Sequence, residues 1–142
     1  MGIYRMYTGS DNETHIEELP LSAHPELGGL QTVRGLQIQQ NQGGRFMDFH
    51  QAPNKRWLIT LSGELEIGLG DGTVYNFGPG DVRLIEDVTG HVHTIRYVTD
   101  HVSALMLLPD LSSRAAGEGQ RQGHAEAVKV ANQLVVGAGV HP

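Results

Sequence analysis

The sequence predicts an all-β protein built as a single closed sandwich or barrel. Strand-sized apolar or alternating runs recur through residues 30–109, separated by turns rich in glycine and aspartate. No segment in that range carries the 3.6-residue apolar period of a helix. The length of 142 residues, with 39% hydrophobic residues and 19 glycines, suits one core with many tight turns.

The elements follow in order. Residues 1–29 read as a polar arm punctuated by Pro20, Pro25 and Gly28-Gly29. Within it "HIEELPL" suits an edge strand, because proline is tolerated there and not in a central ladder. "LQTVRGLQIQQ" reads as one bent strand with a bulge at Gly35. Gln42-Gly43-Gly44 turns the chain into "RFMDFH". "RWLITL" is almost wholly apolar, whereas "ELEIGL" alternates, with Leu65, Ile67 and Leu69 on a buried face. Ser62-Gly63 joins those two, and Gly70-Asp71-Gly72 makes a hairpin into "TVYNF". After the "GPGD" turn come "VRLIE", "HVHTIRYV" and "VSALMLL", and Pro109 ends the barrel. Residues 110–142 read as a linker followed by a tail that is flexible or forms a short helix over "HAEAVKVANQLVV".

Composition narrows the function classes. A formal charge of −6 without a Lys/Arg cluster argues against nucleic acid and anionic membranes as partners. No run of about 18–20 apolar residues is present to span a bilayer. "MGIYRMYTGSDNETH" lacks the apolar stretch of a secretory signal, and the cytoplasm is the simplest location. The absence of cysteine removes disulfides, thiolate nucleophiles and Cys-ligated zinc, leaving His, carboxylate, Tyr, amide or water for any metal.

Residues 50–97 resemble the cupin superfamily, small jelly-roll barrels with an internal ligand pocket. The resemblance rests on a histidine-bearing strand, the "LSGELEI" hairpin, the "FGPGD" turn and a following strand with His93. "PGDVRLIEDVTGHVH" is similar to a group of small bacterial cupins and, loosely, to ectoine synthase. In metal-binding cupins an H-x-H pair and a glutamate of the first motif join a histidine of the second. Counted back from Gly63, the glutamate position falls on Arg56, and the H-x-H pair on His50 and Ala52. One of those three ligands is kept. In the second motif His93 has the usual spacing from Gly90, while His91 fits the overall count from Gly80.

Alternation puts His93, Ile95 and Tyr97 on one face, and Asp48 with His50 on one face. If the cupin topology holds, His50 and His93 meet inside the barrel. They are then either ligands of a divalent transition metal (Zn, Fe, Mn or Ni) or hydrogen-bonded pocket residues without one. His91 is the third candidate ligand, although its place directly after Gly90 reads as an exposed loop. Glu86 and Asp87 read as solvated strand-end carboxylates, of which Glu86 is the candidate to assist as base, with Tyr97 as a donor. Arg56 reads as an exposed strand-start residue beside Lys55; turned inward, it would favour a carboxylate or phosphate.

The reading is a cupin-like barrel that binds a small, carboxylate-bearing molecule. Three classes remain open. The first is an enzyme using His50 and His93 as metal ligands or acid/base residues, for isomerase, lyase or cyclase chemistry or for metal-dependent oxygenation. The second is a non-catalytic ligand-binding or sensor module, and the third a structural partner protein that uses its hydrophobic outer sheet. Trp57, Ile59 and Leu61 share one face of "RWLITL" while Leu58 lies on the other. That outer face needs a cover, and a second copy packed sheet to sheet, as cupins commonly dimerise, would supply it.

Overall fold

The computed structural model describes residues 1–51 and 54–109, so the expected linker and tail lie outside the described residues. Ten strands form two sheets: β1 (Ile3–Thr8), β2 (Thr14–Glu18), β3 (Gly35–Asn41), β4 (Phe46–His50), β5 (Arg56–Ser62), β6 (Leu65–Gly68), β7 (Val74–Phe77), β8 (Val82–Ile85), β9 (His93–Tyr97) and β10 (His101–Leu107). A six-stranded sheet runs β2-β1-β8-β5-β10-β3, and a four-stranded sheet runs β4-β9-β6-β7. Consecutive strands repeatedly cross between the sheets, as in a jelly roll. The all-β barrel expected from the sequence is present. Among the described residues no helix is long and apolar enough to cross a membrane.

Two expectations are corrected. "LQTVRGLQIQQ" is a strand only from Gly35 onward, and Gly35 is its first residue rather than a bulge. The chain before it instead lies beside β5, where the Trp57 indole N–H donates to Gln31 Oε1 at 3.0 Å. The polar N-terminal arm is also more than an arm. Its first strand, β1, pairs in parallel with β8 and antiparallel with β2, adding two strands to the larger sheet. Met6 is fully buried there because it faces the interior in register with Ile85.

The core lies between the sheets, where Met6, Leu58, Ile85 and Leu105 meet Leu65, Ile67, Phe77 and Tyr97. These positions alternate along their strands, so each strand sends every second side chain inward. The outer face of the larger sheet holds the opposite set. Leu36, Met106 and Trp57 occupy one row across β3, β10 and β5, and Ile38, Ala104 and Ile59 the next. Trp57 is covered, but Leu36 and Ile38 are 62% and 60% exposed.

Glycine closes the turns where the backbone must turn left-handed. Gly63 has φ 85°, and a Cβ there would run into the carbonyl oxygen of Asp100. Gly72 has φ 89° with open space around it. Alanine at Gly72 therefore costs only the left-handed backbone penalty, about 1–2 kcal/mol. Alanine at Gly63 adds the displacement of the β9–β10 turn and destabilises by clearly more. Urea denaturation of the two variants measures the difference, and equal losses would mean that the close approach at Gly63 has no energetic weight.

Candidate functional site

A cavity of about 440 Å³ opens between the sheets. Its wall comes from inward positions on β3, β4, β5, β6, β8, β9 and β10. Gln37, Gln39 and Asn41 enter from β3 because they stand in register with Leu105, Ser103 and His101 of β10. The cavity is thus apolar through its middle and polar at both ends.

At one end stand His50 and His93, directly opposite one another on β4 and β9. Their rings lie 6.2 Å apart, centroid to centroid, at 60°. Both line the cavity. A bulge makes this possible. Pairing of β4 with β9 shifts between Met47 and His50, so both of those residues reach the cavity while Asp48 does not. The expected sharing of one face by Asp48 and His50 is therefore corrected, since the extra residue resets the alternation.

Each imidazole has its Nδ1 committed. His50 Nδ1 lies 2.7 Å from the Asp48 carbonyl oxygen, and His93 Nδ1 lies 2.5 Å from Asp87 Oδ2. A carbonyl and a carboxylate only accept, so both Nδ1 atoms must carry the proton. In the neutral rings both Nε2 atoms are then bare and basic. Asp87 is itself buried, and the Thr14 hydroxyl donates to the same Oδ2 at 2.8 Å. A strand of the N-terminal arm therefore holds the carboxylate that orients His93.

The other end is built from Tyr97, His101, Thr60 and Arg83. The Tyr97 and His101 rings are 5.4 Å apart, and His101 Nε2 lies 3.2 Å from Thr60 Oγ1. Burial raises the Tyr97 phenol above its usual range, with Arg83 opposing the shift. Burial, and secondarily the Arg83 charge, brings the His101 imidazole down to about 4. His101 is a neutral residue at physiological pH. Burial lowers the Arg83 guanidinium to about 10, which leaves it charged.

The sequence-expected residues divide clearly. His50, His93 and Tyr97 come together around the cavity, and Arg56 lines it too, against the expectation of an exposed residue. Arg56 shares the inward face with Leu58 and Thr60, and burial lowers its pKa. His91 stays outside. Its ring stacks on Phe49 at 4.0 Å and its Nδ1 bonds the Glu13 carboxylate at 3.0 Å. Val92, at φ 64°, breaks the extended run between His91 and His93, so the two-residue spacing does not place them on one face. Glu86 also faces away, accepting from Arg5 Nε at 2.7 Å and lying 3.9 Å from Lys55 Nζ. Asp87, its neighbour, takes the inward place two residues after Ile85. Sequence reading passed over Arg83 and His101. Alternation with Ile85 and Leu105, respectively, was the signal that could have found them.

The donor set does not fit a conventional metal centre. Among the described residues no three His, Asp or Glu side chains gather to hold an ion. Open catalytic sites typically keep three protein ligands. Asp87 is already engaged by His93 and Thr14, and Arg45, Arg56 and Arg83 line the same cavity and oppose a cation. His50 and His93 alone would supply two ligands.

No protein-family model and no curated protein matches the chain. It is similar to several solved structures. A conserved protein of unknown function from Streptococcus pyogenes is 20% identical over 54% of this chain and 65% of its own, with a TM-score of 0.41. Ectoine synthase from P. lautus is 18% identical over 52% of each chain, with a TM-score of 0.45. An RmlC-like cupin protein from Desulfovibrio desulfuricans is 20% identical over 56% of this chain and 77% of its own, with a TM-score of 0.41. The chain thus spans about half to two thirds of the first two.

His101 makes stability depend on pH in a defined window. Its pKa falls from 6.5 to about 4 on folding, so between those values the unfolded chain binds the extra proton. Stability is then unaffected by this group above about pH 6.5, declines as pH falls toward 4, and levels below, a loss of up to about 3 kcal/mol. His101→Gln should flatten that part of the profile when urea midpoints are measured across pH. An unchanged slope would mean that His101 titrates alike in both states.

Proposed function

We propose that this chain is a cupin whose barrel binds a small carboxylate-bearing molecule and moves a proton on it through His93 and His50. The observation that carries the reading is the pair of fixed tautomers. With Nδ1 of each ring donating to an oxygen, each Nε2 is a base aimed at chemistry rather than at structure. Asp87 keeps His93 in that tautomer and stabilises the imidazolium that forms when it takes a proton. The proton that His93 takes up at Nε2 is then returned to another atom of the ligand, completing an isomerisation, or to a leaving oxygen, completing a lyase or dehydrating cyclase reaction. His50, on the facing strand, is the second base and can take the ligand's proton in its place. Tyr97 assists as a hydrogen-bond donor to a ligand oxygen. The arginines of the wall favour an anionic ligand.

A divalent transition metal at His50 and His93 is the alternative that the cupin resemblance implies. The two-imidazole donor set argues against it, and no step depends on one. The other class, a ligand-binding barrel without catalysis, differs in a single respect: it binds the acid without exchanging its protons.

Deuterium wash-in separates these readings. A panel of three- to six-carbon oxo acids is incubated with the protein in D₂O and followed by NMR. The proposal expects protein-dependent exchange at carbon for at least one acid, reduced about a hundredfold or more by His93→Ala and strongly by Asp87→Asn. An acid that binds in the barrel without exchange would make it a binding module. Metal analysis of protein purified without added metal accompanies the assay. A stoichiometric transition metal lost in both His50→Ala and His93→Ala would replace the acid–base reading with a metalloenzyme.

The exposed outer row supports a further part of the reading, a homodimer formed through the larger sheet. Leu36 extends the row of Trp57 into solvent and Ile38 the adjacent row of Ile59, and a second copy would bury them. Light scattering of the purified protein should give twice the monomer mass, and Ile38→Glu should return it to one. A wild-type monomer would rule this interface out.

A further inference from the structure

Among the described residues Arg83 has no counter-charge at contact distance. It is 1% exposed, and among the described residues no carboxylate lies within ion-pair range of it. Its near neighbours are the Met6 sulfur, 3.9 Å from Nη1, and the Phe77 ring, 5.2 Å away. Asp87 and Asp81 act on its charge only at longer range. Its Nε, and Nδ1 of His101, are buried without a hydrogen-bond partner. Both side chains line the cavity.

Buried charges in proteins are normally paired, and buried polar atoms normally bonded. Here a guanidinium edge and an imidazole nitrogen stand idle beside one cavity. A hydrophobic residue would fill the position of Arg83 more cheaply, as Leu58, its register partner on β5, does beside it.

We infer that Arg83 and His101 form an anion subsite that takes the carboxylate or phosphate group of the barrel's ligand, at the end of the cavity away from His50 and His93. This deepens the proposed function and rests on the reading of the barrel as a ligand site. The separation follows from the strands. His93 and Tyr97 are four residues apart along β9, about 13 Å of extended chain, and Arg83 and His101 stand with Tyr97, whose ring lies 5.4 Å from that of His101. A ligand reaching both ends carries its anion several bonds from the reacting carbon. The subsite therefore selects the longer acids, and not those whose carboxylate adjoins the reacting centre.

Inorganic phosphate, malonate, succinate and adipate are the probes, with 1,4-butanediol as the uncharged control. Binding is measured by calorimetry and by the rise in unfolding temperature. The wild type should bind at least one of these anions and not the diol. Arg83→Met and Arg83→Gln should each weaken that binding about tenfold or more, while His93→Ala leaves it within about threefold. Arg83→Met should also unfold at a higher temperature than the wild type without anion, since it removes a buried unpaired charge. No binding of any anion by the wild type, or binding retained in either Arg83 variant, would overturn the subsite. Anion binding lost in His93→Ala but kept in Arg83→Gln would move the anion to the imidazole end, leaving the ligand-cavity reading intact. Proton exchange confined to short acids, with no anion bound, would likewise remove this inference alone. Anion binding without any exchange would keep the subsite and remove the catalytic step.

Discussion

The contact between His93 and Asp87 ties three parts of the molecule together. His93 belongs to the smaller sheet, Asp87 lies two residues past the end of β8 in the larger one, and Thr14 reaches the same carboxylate from the N-terminal hairpin. Burying a carboxylate is costly unless donors meet it, and this one gathers donors from both layers on Oδ2, while Oδ1 is left without a partner. The same requirement orients the imidazole. Closure of the barrel at this end and preparation of a basic nitrogen are therefore one event.

The opposite end is organised by a different rule. There the polar groups are not all satisfied internally: Arg83 and His101 keep free donors or acceptors beneath a wall of amides from β3. Between the two ends, Leu58, Ile85, Ile95 and Leu105 give the cavity an apolar waist. A carboxylate–imidazole pair at one end and a guanidinium without a contact partner at the other give the cavity direction, although one oxygen of the carboxylate, Asp87 Oδ1, is also unpartnered. That asymmetry separates a site from a merely imperfect core, because an imperfect core would distribute its voids without regard to chemistry.

The strands and hairpins were legible because their signals are local. Period-two alternation in "ELEIGL", the glycine at the left-handed turn position 63, and the "GPGD" corner each declare themselves within a few residues. His50, His93 and Tyr97 were legible as one pocket by the same alternation together with the cupin resemblance. The failures are equally physical. A single bulge in β4 reversed the relation of Asp48 to His50, and the positive φ of Val92 separated His91 from His93. β1 was hidden because its strand alternates weakly and is held by pairing with β8, far away in the chain.

By itself the sequence determined a cysteine-free, acidic, all-β chain with histidines on two of its strands, since composition and period-two patterning need no partner to be read. Only the tertiary structure decided which of two adjacent carboxylates, Glu86 or Asp87, serves the cavity and which serves Arg5 and Lys55. It also decided that Arg56 turns inward and that, among the described residues, no carboxylate comes within ion-pair range of the buried Arg83. The reason is common to all of these. Which face of a strand becomes interior, and which charges meet there, depends on the sheet that packs against it, and that sheet is drawn from distant parts of the chain.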